Sequence, residues 1–321
     1  MKMGAKLKIF LGLVVMLVFN LLLVGCRQEA TQPQMNSNKG SYSVVDYTGQ
    51  KLEFSTPPKR IISLSVSVDE ILLDLLPSER IVALTGFADD AGISSVADKA
   101  KAVKGRVKTK GIEEILSLAP DLIIAPDWLP GDVINGLKGI GVKVYVFKTP
   151  VTIKEIRESI YDIAAVTGDR AAGDKLVKQM DQKLDNIAQR VGDIKEKKTV
   201  VAFSLMGAFG GKGTSFDDIC THAYVNNGVS KIGIEKYDTI TKELIVAINP
   251  DVFILPTWDY KGDGETTRYI EEIKTDPAYR NVQAIRNNNL IKVNDAKMYS
   301  TSHYIVDSVE EVALKVYPEK F

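Results

Sequence analysis

Residues 113–128, EEILSLAPDLIIAPDW, return 130 positions later as residues 243–258, ELIVAINPDVFILPTW. Glu, Ile, Pro, Asp, Ile, Pro and Trp coincide at seven of the sixteen aligned positions, and the paired Trp128 and Trp258 are the only tryptophans of the chain. Repetition at this spacing restricts the chain to folds with two similar halves. In each copy a short amphipathic helix (Ile112, Ile115, Leu116, Leu118; then Leu244, Ile245, Ile248) runs into Pro120 or Pro250. Proline cannot donate to the helix ladder and disfavours a helical residue before it. The unbroken apolar runs Leu122–Ala125 and Val252–Leu255 have the length of strands covered on both faces of a parallel sheet. Pro126 or Pro256 ends the strand and a tryptophan follows just beyond its carboxyl end, where open α/β sheets bind ligands. A lone tryptophan would read as a core residue. Matched placement after both strands favours a cleft instead, because buried aromatics normally sit within elements rather than past their ends.

The amino terminus carries Lys2, Lys6 and Lys8, an apolar stretch from Ile9 to Val24 broken only by Asn20, and then Gly25-Cys26. This pattern resembles a bacterial lipoprotein signal, so residues 1–25 are expected to be removed and Cys26 lipidated; an uncleaved membrane anchor is the competing reading of a stretch barely long enough to span. Either way the remainder lies outside the cytoplasm. Residues 26–41, rich in Gln, Asn, Ser and Thr, cannot bury enough apolar surface to fold and read as a flexible tether. Cys220 is the one other cysteine, which rules out an intramolecular disulfide in the folded part. With 41 acidic and 41 basic residues, the balance argues against nucleic acid or an anionic surface as partner.

Between the copies, strands and helices alternate, which argues for an α/β fold with parallel sheets. Val44 to Phe54 reads as a hairpin turning at Thr48-Gly49, Arg60 to Ser65 as a buried strand, and Asp69 to about Leu76 as a helix. Ala172, Leu176, Met180, Leu184, Ile187, Val191 and Ile194 recur in steps of three and four, predicting one helix over 169–195, about 40 Å long. That length can bridge two lobes. The expected units are an amino-terminal lobe at 42–167, the bridging helix at 168–196 and a carboxy-terminal lobe at 197–321.

The order of lipobox, tether, Asp46-Tyr47-Thr48-Gly49 hairpin, Pro57-Pro58-Lys59-Arg60-Ile61-Ile62-Ser63-Leu64 strand, repeated Glu…Pro-Asp units and bridging helix resembles the iron-chelate and cobalamin substrate-binding proteins of ABC importers, over essentially the whole chain from Val44. The resemblance implies two Rossmann-like lobes with mostly parallel sheets joined by one long helix, a ligand between them, and no enzymatic activity or cofactor. It implies as partners an ABC permease with its ATPase, a small-molecule metal chelate, and the membrane through the lipid anchor, with the protein acting as a monomer. Matched position by position, ligand-binding residues fall on Ser65, Ser67, Phe87, Trp128, Met206, Phe209, Trp258, Tyr260 and Tyr299. Permease-docking glutamates fall on Glu113 and Glu243. Each of these begins a helix, where a carboxylate is favoured by the helix dipole, and ordinary first-turn charges are the plainer explanation.

Other chemistry is less well supplied. Residues 207–214, GAFGGKGT, miss the spacing of a phosphate-binding loop and read as a turn with Thr214 or Ser215 capping the next helix. No G-x-S-x-G elbow exists, leaving a surface-anchored enzyme on the same scaffold as a distant alternative. His222 and His303 are the only histidines, too few for a free-metal site, and His222 reads as structural. Met298, Tyr299 or His303 could ligate iron if the cargo were haem, with Ser302 as a helix cap in the opposing reading. The candidate loops contain no arginine, which disfavours an anionic catecholate complex. A hydroxamate siderophore or a corrinoid fits better, with Lys148, Lys212 and Lys297 as lesser charges.

Overall fold

The computed structural model describes residues 40–321 apart from 109, 110, 140, 237 and 239; Cys26, the signal-like segment and almost all of the tether lie outside the described residues. Among the described residues no helix is long and apolar enough to cross a membrane. Strands β1 (Tyr42–Val45) and β2 (Lys51–Phe54) form the expected antiparallel hairpin. Its turn is held by Asp46, whose carboxylate accepts from the Thr48 and Gln50 amides at 2.9 Å each.

The first lobe is built on β3 (Ile61–Ser63), β4 (Ile81–Thr85), β5 (Gly105–Val107), β6 (Leu122–Pro126) and β7 (Lys143–Phe147), all parallel, in the order β5-β4-β3-β6-β7. The order reverses beside β3, which places a crevice beyond its carboxyl end. The second lobe contains β8 (Thr199–Ser204), β9 (Gly207–Phe209), β10 (Asn226–Asn227), β11 (Val252–Leu255) and β12 (Leu290–Lys292). Here β10-β8-β11-β12 run parallel and β9 returns antiparallel on β8. The fold is therefore two α/β lobes with mostly parallel sheets, as the alternation of elements predicts.

The bridging helix forms over Arg170–Val191, about 33 Å at 1.5 Å per residue and shorter than expected at its carboxyl end. Gly192 and Asp193, both poor helix formers, stop it, and Ile194 lies beyond. Gly168, at φ 80, closes the preceding helix Ile153–Thr167 in a left-handed conformation that lets the chain reverse. The two helices touch closely at Gly173, where an added Cβ would stand 2.5 Å from the Ala164 side chain. Leu176, Met180, Leu184, Ile187 and Val191 are buried as the stripe predicts. They join one apolar cluster that runs from Leu52 and Ile71 of the first lobe to Ile254 and Val309 of the second. Each such buried side chain contributes on the order of 1.5–3 kcal/mol. The outer layers, around Ile123 in one lobe and Phe253 in the other, remain separate.

The repeat has the same geometry twice. Ala119 and Asn249, at matching positions, both turn out of their helices with positive φ, 45° and 48°. Asp121 then accepts from the amides of Lys59 and Arg60 at 2.7 and 2.9 Å, and Asp251 from that of Thr199 at 2.8 Å. Each repeated aspartate thus anchors the neighbouring strand's entry. Past the strands the pattern inverts. Asp127 accepts from the Thr149 hydroxyl and amide at 2.7 and 3.1 Å. Thr257, at the position matching Asp127, has its amide bound by Asp295 at 2.8 Å while its own hydroxyl accepts from the Asp295 amide at 3.0 Å.

Candidate functional site

The first helix begins at Val66, three residues before Asp69, because Ser65 stays extended and its carbonyl accepts the Asp69 amide at 2.9 Å. The earlier start adds Val66, Ser67 and Val68 to the helix, and Ser67 is buried there together with Asp69 and Glu70. Ser65 and Ser67 hydroxyls bond to each other at 2.9 Å. Glu70, only 1% exposed, is tied to three groups: its Oε1 accepts from the Ser95 amide at 2.8 Å, and its Oε2 accepts from the hydroxyls of Ser300, at 2.9 Å, and Ser302. One turn later Asp74 Oδ2 lies 2.9 Å from His303 Nε2 and accepts from the Tyr304 hydroxyl at 2.6 Å, while Oδ1 takes Lys99. A single face of the first lobe's helix thereby holds the segment Ser300–Tyr304 of the second.

A cavity of about 300 Å³ opens beside this clasp. Ser67 and Glu70 line it from one lobe, with Gly92 beside them; Trp258, Asp295 and Tyr299 line it from the other. These residues follow β3, β4, β11 and β12, so the cavity lies at the carboxyl ends of both sheets. Gly92 is there because nothing larger fits: a Cβ would stand 1.7 Å from Trp258 Cδ1. The Trp258 ring stands edge-on to Tyr260, with centroids 5.4 Å apart, and its amide donates to Asp295 at 2.7 Å. Tyr299 leans on Phe209, at 5.3 Å between ring centres, and Phe209 in turn on Phe216. Burial pushes the Glu70 carboxyl above the ordinary carboxylate range, with Ser302, Ser95 and Ser300 offsetting part of the rise. Burial raises Asp295 likewise, against the pull of the Trp258 and Thr257 amides.

Of the nine ligand-binding candidates, Ser67, Trp258 and Tyr299 line this cavity, while Ser65, Phe209 and Tyr260 contact those three. Phe87, Trp128 and Met206 stand 56%, 58% and 97% exposed and are not among its lining. The two tryptophans therefore do not share an environment, although both follow their strands as expected. Glu113 and Glu243 are exposed in the first turns of helices Ile112–Ser117 and Lys242–Ile248. His303 faces Asp74 rather than the cavity. Ser302 is not a helix cap: its hydroxyl is given to Glu70, and the last long helix starts at Ile305 behind Tyr304. Thr214 does cap its helix, accepting from the Asp217 amide at 3.3 Å, and His222 closes that helix beside Asp218. Sequence reasoning missed Glu70, Gly92 and Asp295. A local signal for Glu70 was present: Asp69, Glu70 and Asp74 put three carboxylates into a short helix rich in Val, Ile and Leu, VSVDEILLDL, with Glu70 and Asp74 four apart on one face.

Comparison with known proteins places this geometry. The sequence profile of the family described as periplasmic binding protein matches residues 61–296. The chain belongs to that family. Among relatives, an uncharacterized ABC transporter substrate-binding lipoprotein of Bacillus subtilis, YvrC, is 24% identical over 319 residues, covering 95% of this chain and 96% of that one. A cobalamin-binding protein of Halobacterium salinarum is 20% identical over 270 residues, 84% of this chain and 72% of that one. Among solved structures of this two-lobed fold, the periplasmic haem-binding protein RhuT from Roseiflexus superposes with a TM-score of 0.69 at 20% identity, covering 82% of this chain and 99% of that one.

Proposed function

We propose that this chain is the substrate-binding protein of an ABC importer, held outside the cytoplasm by lipid on Cys26, and that it captures a bulky metal chelate between its lobes. The observation that carries the reading is the cavity at the carboxyl ends of both sheets, lined from each lobe and backed by aromatic groups on one side. A full-length relative bearing the name of such a lipoprotein supports the anchor and the transporter. On this reading 42–167 and 197–321 are the two lobes and 168–196 the bridge, and Glu113 and Glu243 are docking points for the permease. The protein works as a monomer and turns nothing over. A hydroxamate chelate or a corrinoid is the cargo, since neither Arg nor Lys lines the cavity and anionic complexes call for such groups.

Native mass spectrometry of protein from cells grown in rich medium names the cargo directly. An iron hydroxamate or corrinoid mass is expected. A haem mass with a Soret band would replace that cargo, and catalytic conversion of the captured molecule would replace binding by enzymology.

A further inference from the structure

The cavity contains two buried carboxylates and no positive group. Glu70 comes from the first lobe and Asp295 from the second, and every hydrogen-bond partner of either is neutral: amides and hydroxyls of Ser95, Ser300 and Ser302 for Glu70, of Thr257 and Trp258 for Asp295. The nearby lysines are engaged elsewhere: Lys99 is drawn to Asp74 and Lys297 faces Asp307 at 3.8 Å, while His303 Nε2 lies 2.9 Å from Asp74 and is outside the cavity lining.

A buried carboxylate without a counter-charge is costly unless something supplies one. Neutral donors would be served as well by a neutral acceptor such as Gln or Asn, so the interlobe bonds alone do not call for charge here. Both residues are buried and line the same cavity, so a ligand's own charge is felt there more strongly than at the surface. An ammonium or other cationic group would meet complementary potential from both lobes; a carboxylate would meet repulsion from both.

Resting on the reading of a chelate-binding protein, we propose that Glu70 and Asp295 select chelates that bury a positive charge and reject those that bury a negative one. Selection is then by the charge of the periphery rather than by the metal. The chelate's coordination shell supplies bulk for Trp258 and Tyr299, and its cationic end supplies the missing partner for the carboxylates. The ranking of otherwise identical ligands by charge is the property that distinguishes this role from a merely structural one.

The test uses one linear ferric trihydroxamate in three forms: with a free terminal ammonium, with that amine acetylated to neutrality, and with it succinylated to an anion. Tryptophan quenching gives the affinities of the full chain at pH 7. The ammonium form is expected to bind at least tenfold more tightly than the acetylated form and about a hundredfold more tightly than the succinylated one. Glu70→Gln and Asp295→Asn should each compress this ranking several-fold; Asp295→Asn leaves the Ser300 and Ser302 bonds in place and serves if Glu70→Gln does not fold. Succinylated chelate binding as tightly as the ammonium form, or a full ranking in both variants, overturns the selection by charge while leaving a chelate-binding protein. Absence of binding by all three forms, and by a corrinoid series with the same charge steps, overturns the cargo reading and this inference together.

Discussion

The Glu70 carboxylate of the first lobe accepts a hydrogen bond from the Ser300 hydroxyl of the second at 2.9 Å. Ser302 gives its hydroxyl to the same oxygen, and Asp74 repeats the arrangement one turn along with His303 and Tyr304. Hydrogen bonds to a charged acceptor contribute about 1.5–3 kcal/mol each. Replacing Ser300 and Ser302 together by Ala should therefore lower the free energy of unfolding in urea by about 2–4 kcal/mol. A midpoint indistinguishable from the parent protein would mean that the clasp is energetically idle.

Asp69 imposes a pH dependence on the fold. Its burial pushes the carboxyl up to about 7, against donation from the Thr85 hydroxyl and amide, whereas the unfolded chain titrates near 4. Between these values the folded state keeps a proton that the unfolded state has released. Stability is therefore fullest below about pH 4 as far as this group is concerned, and falls as pH rises towards about 7. Asp69→Asn should flatten that part of the curve in urea melts at pH 4.5 and 7.5. A slope that survives the substitution assigns the titration to another group.

The two tryptophans should report differently. Trp258 lines the cavity, whereas Trp128 is exposed and does not; stacking by the former should be worth on the order of 1 kcal/mol beyond area burial. Trp258→Phe should remove most of the ligand-induced quench and Trp128→Phe little of it. Gly92→Ala should push the indole out of place and weaken binding about tenfold, on the order of 1.4 kcal/mol. Equal quenching losses from both tryptophans would contradict the lining described above.

On the proposed reading, Glu113 and Glu243 serve delivery and not capture. Both are exposed in first helical turns, and exposed ion pairs are individually worth less than about 1 kcal/mol, so single substitutions should be partly tolerated. The double Ala variant should hold ligand within about threefold of the parent affinity yet fail to stimulate the transporter ATPase or to support uptake in cells. Uptake at the parent rate would remove the docking role.

Much of the scaffold was legible because its signals are local and periodic. Pro120 and Pro250 mark the helix ends, unbroken apolar runs mark β6 and β11, and a stripe in steps of three and four marks the bridge. What the repeat could not convey is that equal position does not mean equal surroundings: Trp258 meets Gly92 across the gap, and Trp128 meets no such partner in the cavity. Glu70 escaped because first-lobe helix and Ser300–Ser302 are 230 residues apart in sequence, a separation over which no periodicity carries. Phe209 and Tyr299 were placed by resemblance, and their contact with each other depends on how β9 folds back on β8, which no local pattern announces.

The apolar cluster shared through the bridging helix also bears on the order in which the molecule can assemble. It links Leu52 near one end of the described polypeptide to Val309 near the other by way of the bridging helix, which packs on Val66–Leu75 before it and on Ile305–Val316 after it, so its contacts join segments about a hundred residues or more apart. Pairings of that range are slow to form because loop entropy is spent before they are gained. The first lobe can cover its inner layer with its own helices, Val66–Leu75 and Ile153–Thr167, whereas the final helix, Ile305–Val316, closes over the bridging helix and Ser215–His222. A nascent chain stopped before that helix would thus keep an oily face uncovered, and full-length release is the step that lets the two lobes become one cooperative body.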